Sequence, residues 1–488
     1  MKRFLSSAII CITVCTALSA QSQQSQSFAD FRKGMLEGYN KFRQSVLDDY
    51  DSFLEAAWGD YEQFRGQDRY ELPKPHIAPV ADIPADDKSL PLPKKNPDFQ
   101  PAPTGKPAPS DKPVPSAPSG MPAPADRPEF TFPFYGIEFK IAENAVSLPR
   151  RLDTSGDFAD QWRALAKSDV KQMIPEFRKI AADHGLNDYL TYQLIRSYTD
   201  SRYADSHPTA RVALQHYLLA NMGFDVRIAL DDRATPLLLI PFSQHVYGRP
   251  FLMFGNQKYY VFQPEGMEFN TASRISTCKL PADADLGRPM DLRLAGLNLP
   301  EKMKDFKLSF DGIELHGQVN ENLFPVLYRY PQMAIGDYAE STLSPRLRDD
   351  LVSQLKSQLD GMPQREAVDK LLKFTQSAFD YATDGDFHGF EKPYFLEEIL
   401  YYPKCDCEDR VIFYTYMLWN VLGVPNHLIA YPGHESASVC LDQPIKGTSY
   451  DYDGRCFYIS DPTFIGATSG MCMPAYTTTQ PEIDYIYK

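Results

Sequence analysis

The sequence predicts an α+β protein of several domains, with helix-then-strand units at residues 129–262 and 341–488 on either side of a β-rich insert at 263–340. Three observations carry that prediction. At 488 residues the chain is too long for one compact core, so two or three domains is the starting expectation. Its 43% hydrophobic and 13% aromatic content can fill those cores. Apolar spacing also changes along the chain, from steps of three and four to short runs bounded by turn residues.

The first residues read as a leader. Met1-Lys2-Arg3, the apolar run Ala8 to Val14 and the small residues Thr16-Ala17-Leu18-Ser19-Ala20 have the layout of a secretory signal peptide, residues 1–20, removed near Gln21. The run is too short to span a bilayer, and no later stretch reaches the roughly 20 apolar residues that spanning needs. Val14 stands where a lipidated Cys15 would want a small neighbour, so lipidation is not expected. The expected location is the periplasm, or the extracellular space or cell surface. A net charge of −14 provides no concentrated basic face for nucleic acid.

Residues 27–66 are predicted as one amphipathic helix. Phe28, Phe31, Met35, Tyr39, Phe42, Val46, Tyr50, Phe53, Ala57, Tyr61 and Phe64 recur at helical steps, a stripe that would dock on the body, self-associate or bind a partner. Residues 67–128 change character. Seventeen of the 40 prolines fall from Pro73 to Pro128, among Lys, Asp, Ser and Ala, and that composition predicts an extended linker. Residues 155–225 read as helices, followed by strands at 226–230, 236–240 and 259–262. Short apolar runs to about residue 338 predict a β-rich insert or small sandwich. Helices return at 346–359 and 366–379.

The chain can be laid on itself. His207 to Phe224 aligns without gaps on Cys407 to Val424, each a helix ending at Gly plus an apolar residue and followed by a strand. In that register His207 stands where Cys407 does. Residues 129–262 then read as a degenerate copy without a nucleophile, although helix–Gly–strand junctions are common enough for a chance match.

Chemistry concentrates near the C-terminus. Cys11 and Cys15 fall in the leader, leaving Cys278, Cys405, Cys407, Cys440, Cys456 and Cys472. Helical content begins just after Glu408-Asp409, which puts Cys407 at a helix N-terminus, where partial positive charge favours a thiolate. Acidic neighbours oppose this, so a base is required. The strand at 426–431, the turn Pro432-Gly433, and His434 opening the next strand supply one. A polar hairpin with Gly447 and Gly454 leads to Phe457-Tyr-Ile-Ser and Asp461-Pro-Thr. Cysteine on a helix start with histidine and aspartate on successive strands is the layout of a thiol triad, in which the aspartate fixes the imidazole's tautomer.

Asp406-Cys407-Glu408-Asp409, preceded by Tyr394-Phe-Leu-Glu-Glu and followed by a helix and Leu422-Gly-Val, resembles the bacterial transglutaminase-like cysteine proteases and, more broadly, the papain/transglutaminase core. The likeness covers about Leu372 to Tyr476. It implies an acyl transfer from a peptide or isopeptide amide to Cys407, with a protein or peptide substrate. Hydrolysis, transfer to an amine, and a non-catalytic peptide-binding scaffold stay open as outcomes. It also implies Asp406 and Glu408 as Ca²⁺ ligands, against the plainer reading of two solvated helix-cap carboxylates; no cofactor is otherwise required. Cys405 and Arg410 depart from the family, which has Gly and an aromatic there. The cysteines allow other uses. A Cys405–Cys407 bridge is strained, a zinc site of Cys405, Cys407, Cys440, Cys456 and His434 lacks a second close cysteine pair beside the C-x-C, and Cys440 and Cys456 fit a disulfide or simple burial. His427 and His388 read as ordinary strand and loop histidines.

Overall fold

A computed structural model describes residues 58–60, 65–69, 74–81, 87–98, 127–271, 273–278, 287–341 and 343–488. The expected leader, most of the amphipathic helix and the linker's centre lie outside these residues. The molecule is a mixed α/β structure with curled sheets.

The end of the predicted helix is not helical. Trp58–Asp60 (β1) and Arg65–Gln67 (β2) are strands. Gly59 and Gly66 weaken a helix there, and open sheet edges offer paired backbone hydrogen bonds instead. Lys94–Lys95 (β3) is a third short strand, inside the predicted linker. A hairpin, Glu129–Phe134 (β4) and Ile137–Ala142 (β5), opens the body. Four helices follow: Ser155–Lys167 (α1), Ile174–His184 (α2), Asp188–Arg202 (α3) and Pro208–Asn221 (α4). Arg227–Asp231 (β6), Pro236–Ile240 (β7), Pro250–Phe254 (β8), Gln257–Phe262 (β9) and Ile275–Cys278 (β10) then form one antiparallel sheet, which β1 and β2 extend at its edges.

Among its described residues the region 263–340 is not a sandwich. Beyond β10 these contribute one hairpin, Met303–Phe310 (β11) and Ile313–Asn320 (β12), then two short helices, Phe324–Tyr328 (α5) and Ile335–Glu340 (α6). The apolar face of β12, with Ile313, Leu315 and Val319, packs on the helix Pro345–Leu359 (α7) instead of a second sheet. Two glutamines of α7 take the place of a neighbouring strand. Gln358 and Gln354 accept from the N–H of Glu314 and His316 at 2.7 and 3.0 Å and donate to their carbonyls.

Gln364–Ser377 (α8), Asp380–Tyr381 (β13), Asp384–Phe387 (α9) and Lys404–Cys405 (β14) lead to the helix Cys407–Met417 (α10), which ends in a π turn. Asn426–Tyr431 (β15), His434–Val439 (β16), Ser449–Tyr452 (β17), Arg455–Ile459 (β18) and Glu482–Tyr487 (β19) complete the chain. The order β19-β15-β16-β18-β17 repeats β10-β6-β7-β9-β8 of the first sheet, strand for strand and antiparallel throughout, and each set follows a helix ending near a glycine. Both halves share one hydrophobic core, bridged by Tyr189, Tyr330 and Phe395 with ring centroids 5.3 Å apart at each step.

The linker's described parts depart from a free tether. Leu90 is buried on the outer face of the second sheet among Ile429, Phe457 and Ile483, and β3 pairs in parallel with β19. The sheet's open edge and exposed apolar face override what composition predicts. Among the described residues no helix is long and apolar enough to cross a membrane.

Candidate active site

Asp406 caps α10 from an extended conformation, and Asp409 secures the start. One Asp409 oxygen accepts the Asp406 N–H at 3.1 Å and the other the Tyr394 N–H at 2.8 Å. Cys407 is thereby the first residue of α10. Arg410, buried one turn on, donates to the carbonyls of Gln376 and Phe379 and ties the end of α8 to α10. That use explains a charge where an aromatic was expected.

His434 begins β16, which packs on α10. Asp461 follows β18, and one of its oxygens accepts the N–H groups of Thr463 and Phe464 at 2.8 and 3.2 Å. Gln376 locks this loop from α8, donating to the carbonyls of Asp461 and Ala467 and accepting from the Gly466 N–H. The remaining Asp461 oxygen is 2.7 Å from His434 Nε2. With Nε2–H donating there, Nδ1 carries the lone pair. That nitrogen is buried and has no hydrogen-bond partner. The Tyr476 ring lies parallel to the imidazole, 5.6 Å away.

The Cys407 thiol is buried and donates to Glu408 Oε2 at 3.1 Å, and the backbone N–H of Glu435 also faces the sulfur. Glu435 adjoins His434, so the sulfur sits at the head of the histidine's strand. Burial, then the charges of Glu408 and Asp406, push the thiol well above its ordinary pKa. The resting thiol is protonated.

Asp406 and Glu408 are not solvated caps; both are buried. They face a cage completed by Asp384 and Glu391, and the ammonium of Lys74 is seated within it. Its Nζ is 2.9 Å from Asp406, 2.5 Å from Glu391 and 3.9 Å from Asp384, and it pairs with Glu408 Oε1. Burial alone would discharge Lys74, but Glu408, Asp406 and Asp384 outweigh it and hold the ammonium well above its usual range. Glu408, despite burial, is kept low by Lys74. Asp384 is pushed up to about 7 by burial and by Glu408. One cation thus balances four carboxylates incompletely.

Of the predicted residues, Asp406, Cys407 and Glu408 form the start of α10, and His434 and Asp461 are hydrogen-bonded on the sheet that packs against it. Cys405, Cys407, Cys440, Cys456 and Cys472 are free thiols; of the two uses open to Cys440 and Cys456, a disulfide or simple burial, they show the second, half-buried, and these cysteines form no zinc cluster among the described residues. His427 is a buried β15 residue bonded to the Tyr450 hydroxyl, its pKa pushed down to about 3 by burial. His388 bonds the Tyr394 hydroxyl within an aromatic cluster. In the first unit His207 caps α4, and the gap-free register carried onward sets Ala234 and Val261 opposite His434 and Asp461. Lys74, Asp384, Glu391, Gln376 and Tyr476 were not legible as site residues. Lys74 lies among prolines over 300 residues before Cys407, and only the chain's path joins them. No family model and no curated protein matches this chain.

Proposed function

We propose that the chain is an exported cysteine-nucleophile enzyme of papain/transglutaminase-like fold that cleaves peptide or isopeptide amide bonds through Cys407, His434 and Asp461. One observation carries this reading: an imidazole anchored to Asp461 keeps its other nitrogen buried and unpartnered at the head of the strand facing a helix-start cysteine. Leaving a buried acceptor unpaired costs roughly 1–3 kcal/mol.

In the proposed reaction His434 Nδ1 takes the Cys407 proton and the sulfur attacks the amide carbonyl. The backbone N–H of Cys407, at the positive end of α10, supports the oxyanion. The imidazolium then gives its proton to the departing amine. Water, deprotonated by His434, releases the acid and restores the thiol. Asp461 holds the imidazolium oriented throughout.

The converging carboxylates of Asp384, Glu391 and Glu408, with Asp406 beside them on Lys74, offer oxygen donors that suit Ca²⁺, whose place Lys74 takes here. Bound there, Ca²⁺ would neutralise the carboxylates that keep the thiol protonated. The buried, protonated resting sulfur also favours a second reading, a peptide-binding scaffold without turnover. A thiol-directed electrophile separates the two. An active site labels Cys407 faster than Cys405, Cys440, Cys456 and Cys472, and His434→Ala abolishes that preference; uniform slow labelling supports the scaffold. A labelled amine offered with a protein substrate tests the chemistry further, since covalent incorporation would replace hydrolysis with transfer to amines.

A further inference from the structure

Lysine is seldom buried, yet the Lys74 side chain is 4% exposed inside the cage. Its carrier segment buries little apolar surface: Ile77 and Val80 are 81% and 67% exposed, while Ala81 packs beside Phe464, Ala467 and Met473 and His76 Nδ1 lies 2.9 Å from Asp386. Main-chain contacts supply the rest. The Tyr381 hydroxyl donates to the Pro75 carbonyl at 2.8 Å, the Ala81 N–H donates to the Ile465 carbonyl, and the Ile465 N–H donates to the Pro79 carbonyl, each at 2.8 Å. Backbone pairing along an extended segment, with one side chain in a deep pocket, is how peptide ligands are held. The segment runs from the start of α10 to the loop that carries Asp461, the two elements between which an acyl substrate would lie.

Glu408 connects the pocket to the nucleophile, one oxygen on Lys74 and the other on the Cys407 sulfur. Asp406 Oδ1 is fully buried in the same cage and has no hydrogen-bond partner. Carboxylates from four directions converge on a single point, which suits a compact ammonium better than the planar fork of arginine.

We propose that this cage is a specificity subsite for a lysine side chain of an extended peptide, and that residues 74–81 occupy it in cis as a pseudosubstrate. The substrate class it names, lysine-bearing peptides, rests on Cys407 being the nucleophile; the subsite itself does not. A tethered occupant competes at an effective concentration of about millimolar, so any outside peptide must displace it.

The test uses the full mature chain with Cys407→Ala, alone and combined with Lys74→Ala or with Lys74→Met, which keeps the apolar stem. A fluorescent peptide carrying the sequence of residues 72–81 is titrated by anisotropy. Both double variants should bind it about tenfold or more tighter than Cys407→Ala alone, and replacing the peptide's lysine by norleucine should weaken binding by about tenfold or more. Arginine in its place should also bind more weakly. Equal affinity with and without Lys74, or indifference to norleucine, overturns the proposal. Thermal melts verify that each variant is folded, and Lys74→Met serves if Lys74→Ala is not. Because the nucleophile is absent, failure here is distinct from failure of electrophile labelling, which speaks only to the enzyme reading.

Discussion

The two oxygens of Glu408 serve different partners, the Lys74 ammonium and the Cys407 thiol proton. While the thiol proton points to Glu408, it is not delivered to His434. Glu408→Gln should therefore raise the rate of Cys407 alkylation at neutral pH, because removing a negative charge lowers the thiol's pKa; an unchanged rate would show that burial alone keeps the sulfur quiet. A second residue-scale prediction concerns Glu397. Burial pushes its carboxyl up to about 7 from an ordinary 4.5, against the Ser344 N–H at 2.9 Å and its own backbone N–H. Asp337 is likewise pushed to about 7, by burial and Glu340. The folded state then keeps protons that the unfolded chain has released, so these groups lower stability as pH rises from about 4.5 to 7 and level off above. Calorimetry should find a higher Tm near pH 5 than near pH 8 after allowing for other groups, and Glu397→Gln should flatten that fall; a Tm slope unchanged in the variant would contradict it.

At the scale of elements, hairpin turns decide how the triad is delivered. Asp453-Gly454, both with positive φ, closes β17 onto β18 and so places the strand that Asp461 follows. An Asp-Gly pair between apolar runs is among the clearest hairpin signals a sequence holds. The closure beyond it was not legible. Gly447 crosses Gly470 so closely that a Cβ on Gly447 would lie 2.4 Å from the Gly470 Cα, while Thr448 N–H donates to the Gly470 carbonyl. Gly447→Ala should cost about 2 kcal/mol or more and reduce Cys407 labelling, since backbone must shift beside the Asp461 loop. Urea unfolding and the electrophile rate together check this, and a neutral substitution would mean that the crossing does not support the site. The Asn426–Tyr431 strand and the Cys407 helix start were readable because periodicity and capping residues are local. The strand at Trp58–Asp60 was not, because its partner near Cys278 lies far along the chain.

Across the whole molecule, the proline-rich stretch is where composition misled. Leu90 and β3 fasten it to the second sheet, and Lys74 fastens it to the cage. Leu90→Ala should cost about 2–4 kcal/mol in urea unfolding, as for other buried leucines, whereas a freely tethered segment would show no change. The shared strand order of the two sheets gives the gap-free alignment of His207 on Cys407 a topological counterpart. From its own residues the sequence determined the mixed α/β character and most helices and central strands, and it singled out Cys407, His434 and Asp461 as candidates, because capping, turn chemistry and periodicity act over a few neighbours. Only the tertiary structure decided that Asp384, Glu391, Asp406 and Glu408 converge, that Lys74 enters among them, and that the thiol rests protonated. Charges far apart along a chain acquire their energies from burial and proximity, which exist only once the chain has folded.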